Sequence, residues 1–151
     1  MTKEQFTEQV LKSEEILFKV AMSMLKNEAD AQDAVQSAIL AAYERLNTLR
    51  HEEYFRTWLV RILINICKKQ FRQNKRTAAY TEIQTPSISP QEEVEVRAAV
   101  ESLPLKIRQT VILYYSEQFT TREIAQILKI PQGTVMSRLA KGRKLLHIAL
   151  Q

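Results

Sequence analysis

Residues Thr120 to Arg143 read TTREIAQILKIPQGTVMSRLAKGR, and their spacing decides the fold. Thr120 is a natural N-cap, and Glu123 three residues on completes a capping box, so a short helix starts here. Ile124, Ala125 and Leu128 form its inner face, with Ala125 small where a second helix must cross closely. Lys129-Ile130-Pro131 predicts a turn, and Gln132 opens a longer helix whose Val135 and Leu139 point inward. Two helices joined so tightly form a helix-turn-helix, a unit whose second helix enters the DNA major groove with its N-terminal residues at the base edges. The outward residues of that second helix are Gln132, Thr134, Met136, Ser137, Arg138 and Lys141, with Arg143 and Lys144 beyond. Short polar groups beside long cations suit a mixture of base reading and phosphate anchoring.

Outward from this unit, apolar residues stay three and four apart and strand signals are almost absent. A capping box of Thr2 and Gln5 predicts a first helix carrying Phe6, Val10, Leu17, Val20, Met24 and Leu25. Asn27 predicts the cap of a second, with Ala31, Val35, Ala38, Ile39, Ala42 and Leu46 on its buried side. After the polar stretch 47–53 comes a third, with Trp58, Leu59, Ile62, Leu63 and Ile66 as its stripe. Residues 77–92 break the periodicity and hold Pro86 and Pro90, which reads as a linker. Further helices are expected over 93–102, 104–117, 121–128 and 132–150. The expected fold is therefore all-α: two small helical domains, 1–76 and 93–151, joined by a flexible linker over 77–92.

Charge is arranged in blocks along the 151 residues. The net charge of +5 resolves into −4 over 1–53, +7 over 54–80 with no acidic group, −4 over 81–101 and +6 over 102–151. Two separate cationic segments predict two contacts with a polyanion. Other chemistries find little support. A single cysteine forms no internal disulfide and fits a reducing compartment. His51, Cys67 and His147 lack metal-ligand spacing, and two glycines build no phosphate loop, so no metal or cofactor is expected. No apolar run approaches a membrane span, and the charged, periodic first residues do not read as a signal peptide; a cytoplasmic protein is expected.

The run LPLKIRQTVILYYSEQFTTREIAQILKIPQGTVMSRLAKGRKLL resembles the promoter −35-binding domain of the extracytoplasmic-function (group 4) sigma factors. Leu103-Pro104, Gly133-Thr134-Val135, Ser137-Arg138-Leu139 and Arg143 match that family's usual pattern. Lys129 stands where the family usually has a turn glycine, and a left-handed backbone there would cost about 1–2 kcal/mol. Lys141 and Gly142 replace the commoner Arg-Ala, retaining charge but loosening the helix by about 1 kcal/mol. Met136 stands where many members carry a cation.

The N-terminal half resembles the same family. Asn27, Asp30, Ala31, Asp33, Val35 and Gln36 match its core-polymerase-binding segment. The resemblance implies that Asp30, Asp33, Gln36 and Ser37 meet a coiled coil of the polymerase largest subunit. Phe55, Trp58, Leu59, Arg61, Ile62 and Asn65 match its −10 recognition and melting helix. A melted strand calls for backbone cations and ring faces for unstacked bases. Arg56, Arg61, Lys68, Lys69 and Arg72 are candidates for the former. Tyr54, Phe55 and the 47–53 loop could frame an extruded base, and Asn65 offers both donor and acceptor. Trp58 reads as core, and Cys67 as a buried or half-buried thiol.

The resemblance implies a sigma factor without catalytic chemistry, binding core RNA polymerase and promoter DNA and silenced by an anti-sigma factor that occludes both halves. An alternative is a stand-alone helix-turn-helix regulator, although the N-terminal half lacks receiver-type strand–helix alternation. Another is a metal nuclease using Glu28, Asp30 and Asp33, but these acids share one exposed helix with no His or Lys beside them. Each half is only about 60–75 residues, small enough to be marginal alone. Few contacts are expected across the linker, which predicts an extended, mobile free protein.

Overall fold

Thr2 opens the first helix as expected. Its hydroxyl accepts from the Gln5 N–H at 3.2 Å, while Gln5 Oε1 accepts from the Thr2 N–H at 2.8 Å. The resulting α1 (Lys3–Leu25) ends at Lys26, left-handed at φ 54°. Asn27 then caps α2 (Glu28–Glu44) by accepting from the Asp30 N–H at 2.9 Å. Two short 3-10 turns, Leu46–Thr48 and Glu52–Tyr54, lead into α3 (Phe55–Thr77). In this computed structural model residues 1–77 and 91–151 are described; residues 78–90, most of the expected linker, lie outside that range. The chain continues as α4 (Gln91–Glu101), α5 (Leu105–Val111), α6 (Thr121–Leu128) and α7 (Gln132–Ala149), and no strand occurs among the described residues.

The first three helices pack pairwise into one unit. The expected stripe of α1 is buried throughout, and Ser13 joins it by donating its hydroxyl to the Gln9 carbonyl at 2.9 Å. On α2 the buried residues are Ala31, Ala34, Val35, Ala38 and Ala42. Four alanines in that face let α1 and α3 come close. Phe55 begins the α3 stripe, packing edge-on against Phe6 at 5.7 Å between ring centroids. Trp58 is only half-buried and leans on Phe55, with ring centroids 5.8 Å apart.

In the second half α5 does not run on to residue 117 as an α-helix. Ile112–Ser116 form a π-helical turn, with the Glu117 N–H bonded to the Ile112 carbonyl at 3.2 Å. The chain leaves through Gln118 at φ 58°. Lys129 is left-handed too, at φ 56°, ψ 49°, so the strain conditional on that conformation is present. Gly142 has a role that helix propensity misses. It is buried where α7 crosses α5, and a Cβ there would lie 2.7 Å from Val111 Cγ2 and 3.1 Å from Ile107 Cγ2. The glycine permits the close crossing, rather than merely loosening the helix.

The expectation of few contacts between the halves is not met. α1 packs on α5, and α3 packs on α6. Arg108 Nε donates to the Ser23 carbonyl at 2.7 Å, while its Nη1 donates to the carbonyls of Glu101 and Leu103 at 3.0 Å each. Lys26 Nζ reaches the same Glu101 carbonyl at 3.1 Å. Both cations thus meet the carbonyl end of α4, where the helix dipole is negative. Arg56 bridges from α3, its Nη2 donating to the Glu117 carbonyl at 2.7 Å and its guanidinium lying 4.0 Å over the Phe119 ring. An extended chain was expected because domain boundaries usually carry few contacts; here an apolar second face on α3 supplies them.

Candidate nucleic-acid interface

At 3.6 residues per turn, α3 presents two overlapping stripes that carry cations, one polar and one largely apolar. Arg61, Asn65, Lys68, Lys69 and Arg72 fall on one face over about 16 Å, with Asn65, Lys69 and Arg72 exposed. None of these cations forms a salt bridge among the described residues; the ion pairs there are Met1–Glu52, Lys12–Glu8, Lys19–Glu15 and His51–Glu53. An uncompensated cationic ridge of this kind suits a phosphate backbone. The second stripe runs Arg56, Val60, Ile64, Lys68 at four-residue steps. Arg56 contacts Phe119, and the charges of Lys106, Lys129 and Arg138 of the second half are felt at Lys68. Between them Val60 and Ile64 are 0% and 1% exposed. This stripe faces the C-terminal half. Burial first, then Arg72 and those other cations, push the Lys68 pKa down.

Two expected members of the ridge are separated from it. Phe55 is 2% exposed and belongs to the core, so it does not frame an extruded base; Tyr54, at 55%, is the exposed ring of that pair. The reason is periodicity, since Phe55, Leu59, Ile62 and Leu63 make one helical face that α1 covers. Arg56 is turned to the seam instead of to solvent. Cys67 is fully buried, and burial pushes its thiol up to about 12.

On α7 the buried residues Val135, Leu139 and Gly142 define the inner side. Ser137, Arg138, Lys141, Lys144 and Thr134 gather on the opposite side, with Thr134 and Arg138 half-buried. Gln132, Met136 and Arg143 lie on a flank. There Gln132 Nε2 donates to Thr121 Oγ1 at 2.8 Å and Arg143 Nη1 to the Tyr115 hydroxyl at 3.1 Å, while Met136 is 58% exposed. Ser137 donates its hydroxyl back to the Gly133 carbonyl at 3.0 Å, leaving the oxygen able to accept. The capping box at Thr120 holds α6 as expected, at 3.1 and 2.9 Å.

The α2 group is partly gathered. Asp30, Asp33 and Ser37 line a shallow cleft with Ala34, and with Ile66 and Gln70 of α3, whereas Gln36 is exposed elsewhere on the helix. Asp30 is tied to α3, its Oδ2 accepting from Asn74 Nδ2 at 3.2 Å. Gln70 Nε2 in turn donates to Asn74 Oδ1 at 2.9 Å. Sequence reasoning missed Ile66, Gln70 and Asn74 here, although their positions four residues apart on α3 were a signal. It also missed Arg108, a buried cation inside an apolar helix. No group of three or more His, Cys, Asp or Glu among the described residues is placed to hold a metal ion.

Comparison with known proteins matches the two helical units to known segments. Residues 11–77 match the family described as Sigma-70 region 2, and residues 93–146 match Sigma-70, region 4. The ECF RNA polymerase sigma-E factor of Escherichia coli is 31% identical, over 81% of this chain and 74% of that protein. The ECF RNA polymerase sigma factor SigW of Bacillus subtilis is 27% identical, over 89% and 83%. The sigma factor RpoE of Bartonella quintana, solved with the anti-sigma factor NepR, superposes with a TM-score of 0.84 over 97% of both chains at 22% identity. Two helical units in the order region 2, region 4, with a sigma factor above 30% identity along most of their length, leave one conclusion: this chain belongs to the sigma-70 family, as an ECF-type sigma factor of promoter-specific transcription initiation.

Proposed function

We propose that residues 1–76 bind core RNA polymerase and the −10 element, that residues 93–151 read the −35 element, and that residues 77–92 connect them. The observation that carries this is the pair of cationic faces, one on α3 and one on α7, that form no salt bridge among the described residues. In this reading Arg61, Lys68, Lys69 and Arg72 hold the melted strand, Asn65 and Tyr54 meet its bases, and Arg56 joins them when free of the seam. Arg138, Lys141 and Lys144 anchor duplex phosphates, while Thr134 and Ser137 stand where base edges pass. Gln132 and Arg143 orient α7 from its flank, and Met136 touches the groove wall. Asp30, Asp33 and Ser37 form the polymerase contact, with Gln36 at its margin.

The protein contributes binding and positioning, with no catalytic chemistry of its own, and works in the cytoplasm. No helix among the described residues is long and apolar enough to cross a membrane, which is consistent with that setting. An anti-sigma factor is the expected regulator, supported by the solved relatives from complexes with NepR and with the cytosolic domain of CnrY.

The test is transcription in vitro with core polymerase and genomic DNA, mapping start sites. Initiation at defined promoters is expected, and none beyond core alone, beside an active control sigma factor, would refute the reading. Retention of core polymerase on the immobilised chain separates it from a stand-alone regulator. For the −35 contact, Arg138→Ala with Lys141→Ala should shallow the salt dependence of duplex binding by about 0.9 per lost phosphate contact.

A further inference from the structure

The outward crest of α7 is built from small residues. Gly133, Ser137 and Ala140 follow one another at four- and three-residue steps, all of them exposed. A Cβ added at Gly133 would meet no heavy atom within 4 Å. A helix with so low a crest settles deep in a major groove about 12 Å wide, which brings its flanks to the base edges. One flank carries Arg138, whose charge is felt at Lys68 of α3. The other carries Gln132, Met136 and Arg143. Its two polar members already have protein partners, Gln132 Nε2 on Thr121 Oγ1 at 2.8 Å and Arg143 Nη1 on the Tyr115 hydroxyl at 3.1 Å. Met136 is 58% exposed, the large apolar side chain left open on the first turns of α7. A lone exposed methionine is ordinary on most surfaces. This one sits among the groups that meet DNA.

Resting on the −35 reading above, we infer that Met136 is a specificity-determining residue: with the Ala140 methyl one turn on, it reads the C5-methyl groups of thymine in the −35 element. Among the four bases thymine alone presents a methyl group in the major groove, and apolar side chains are what meet it. Guanine presents two acceptors there, N7 and O6, and calls for a donor such as arginine. This strip supplies no donor. The Met136 thioether has no proton to give, and the Ser137 hydroxyl proton is spent on the Gly133 carbonyl at 3.0 Å. The Ser137 oxygen still accepts, and the base-edge donors that suit it belong to adenine N6 and cytosine N4. Met136 and Ala140 lie about 6 Å apart along the helix axis, against a base step of about 3.4 Å. The strip therefore covers about two neighbouring base pairs. A flexible, polarisable thioether adapts its three torsions to a methyl group that a stiffer side chain would miss.

The test uses the full chain assembled with core RNA polymerase and a pool of duplexes randomised over about one helical turn, roughly ten base pairs. The enriched duplex is remade with deoxyuridine for thymine, one position at a time. That change removes the methyl group and leaves every hydrogen-bonding group in place. Fluorescence anisotropy at one fixed salt concentration then compares wild type with Met136→Ala, and the selection is repeated with Met136→Arg. Wild type should lose about fourfold in affinity at one thymine or two adjacent ones, the worth of one buried methyl group each. Met136→Ala should bind the thymine duplex more weakly than wild type and be indifferent to the methyl that Met136 touches. Met136→Arg should enrich guanine at that position. If no thymine methyl matters to wild type, if wild type and Met136→Ala lose equally at every thymine, or if Met136→Arg still selects thymine there, the inference is overturned and the −35 reading stands. If no duplex is enriched, or if Arg138→Ala with Lys141→Ala leaves binding of the enriched duplex unchanged, the −35 reading falls and the inference with it.

Discussion

Replacing Gly142 by alanine sets two effects of known size against each other. Alanine in a helix interior is favoured over glycine by about 1 kcal/mol, so propensity alone predicts stabilisation. The added Cβ, however, would lie 2.7 Å from Val111 Cγ2 and 3.1 Å from Ile107 Cγ2, against the 3.5–4.0 Å at which carbon atoms rest. Val111 and Ile107 are 4% and 7% exposed, and both are β-branched, so their χ1 angles are stiff in a helix and the methyl groups cannot swing away cheaply. α5 and α7 must part instead, and overpacking of this kind costs about 1–3 kcal/mol. The net is a loss of about 1 kcal/mol, read as a fall in Tm of about 2–4 °C for a chain of this size. Gly133→Ala is the matched control, because no heavy atom lies within 4 Å of its added Cβ. It should raise stability by about 0.5–1 kcal/mol. Thermal and urea unfolding followed by circular dichroism measure both. If the two substitutions shift Tm upward alike, the tight α5–α7 crossing is wrong. A Val111→Ala background should remove most of the Gly142→Ala penalty, since the clashing methyl is gone.

Lys129→Gly relieves a left-handed backbone and should stabilise the fold by about 0.5–1 kcal/mol once the freer unfolded glycine is counted, read as a higher urea midpoint. Thr120→Ala removes one bond of the α6 capping box and should cost about 1 kcal/mol by the same assay. Cys67, with its thiol pushed up to about 12 by burial, should resist iodoacetamide in the folded chain and react once urea unfolds it. Burial raises the Glu117 pKa above 4.5, aided by Glu15 and opposed by Lys19 and Arg56, so the folded chain holds that proton more tightly than the unfolded one. Its contribution is greatest with the proton on, and is lost as pH rises from about 4.5 through the raised folded value. Glu117→Gln should therefore gain over wild type with rising pH in that window, and equal urea-midpoint differences at about pH 4.5 and pH 7.5 would refute the assignment.

What sequence could reveal of the fold was whatever is encoded within one or two turns. The Thr2 and Thr120 capping boxes, the Asn27 cap and the bounds of α6 depend on residues three positions apart, and each forms as read. The π-helical turn after Val111 was not legible, because its cause is distant: it delivers Glu117 and Phe119 to Arg56, sixty residues earlier. Gly142 was misread for the same reason. Propensity sees a flexible residue in a helix, whereas Val111 and Ile107, thirty residues away, define the space it fills.

Two members of the candidate site were misplaced for a different reason. Reading α3 by residue type placed Phe55 and Arg56 with the DNA-facing groups, because an aromatic and a cation are what a melted strand needs. Both are spent on packing, Phe55 against Phe6 and Arg56 over Phe119. A period count alone would have moved Phe55, since 55, 59, 62 and 63 share the face that α1 covers. No count moves Arg56, because its stripe of Val60 and Ile64 reads equally well as a lipid-free core edge or as a face awaiting a partner. What distinguishes the seam from ordinary core is the end of its stripe: Lys68 is half-buried there, and burial first, then the like charges of Arg72, Arg138, Lys106 and Lys129, lower its pKa. On the proposed reading the cations that hold DNA include Lys68, whose charge is disfavoured by burial and by its neighbours of like sign, so residue type alone could not tell a DNA contact from a packing contact on this stripe.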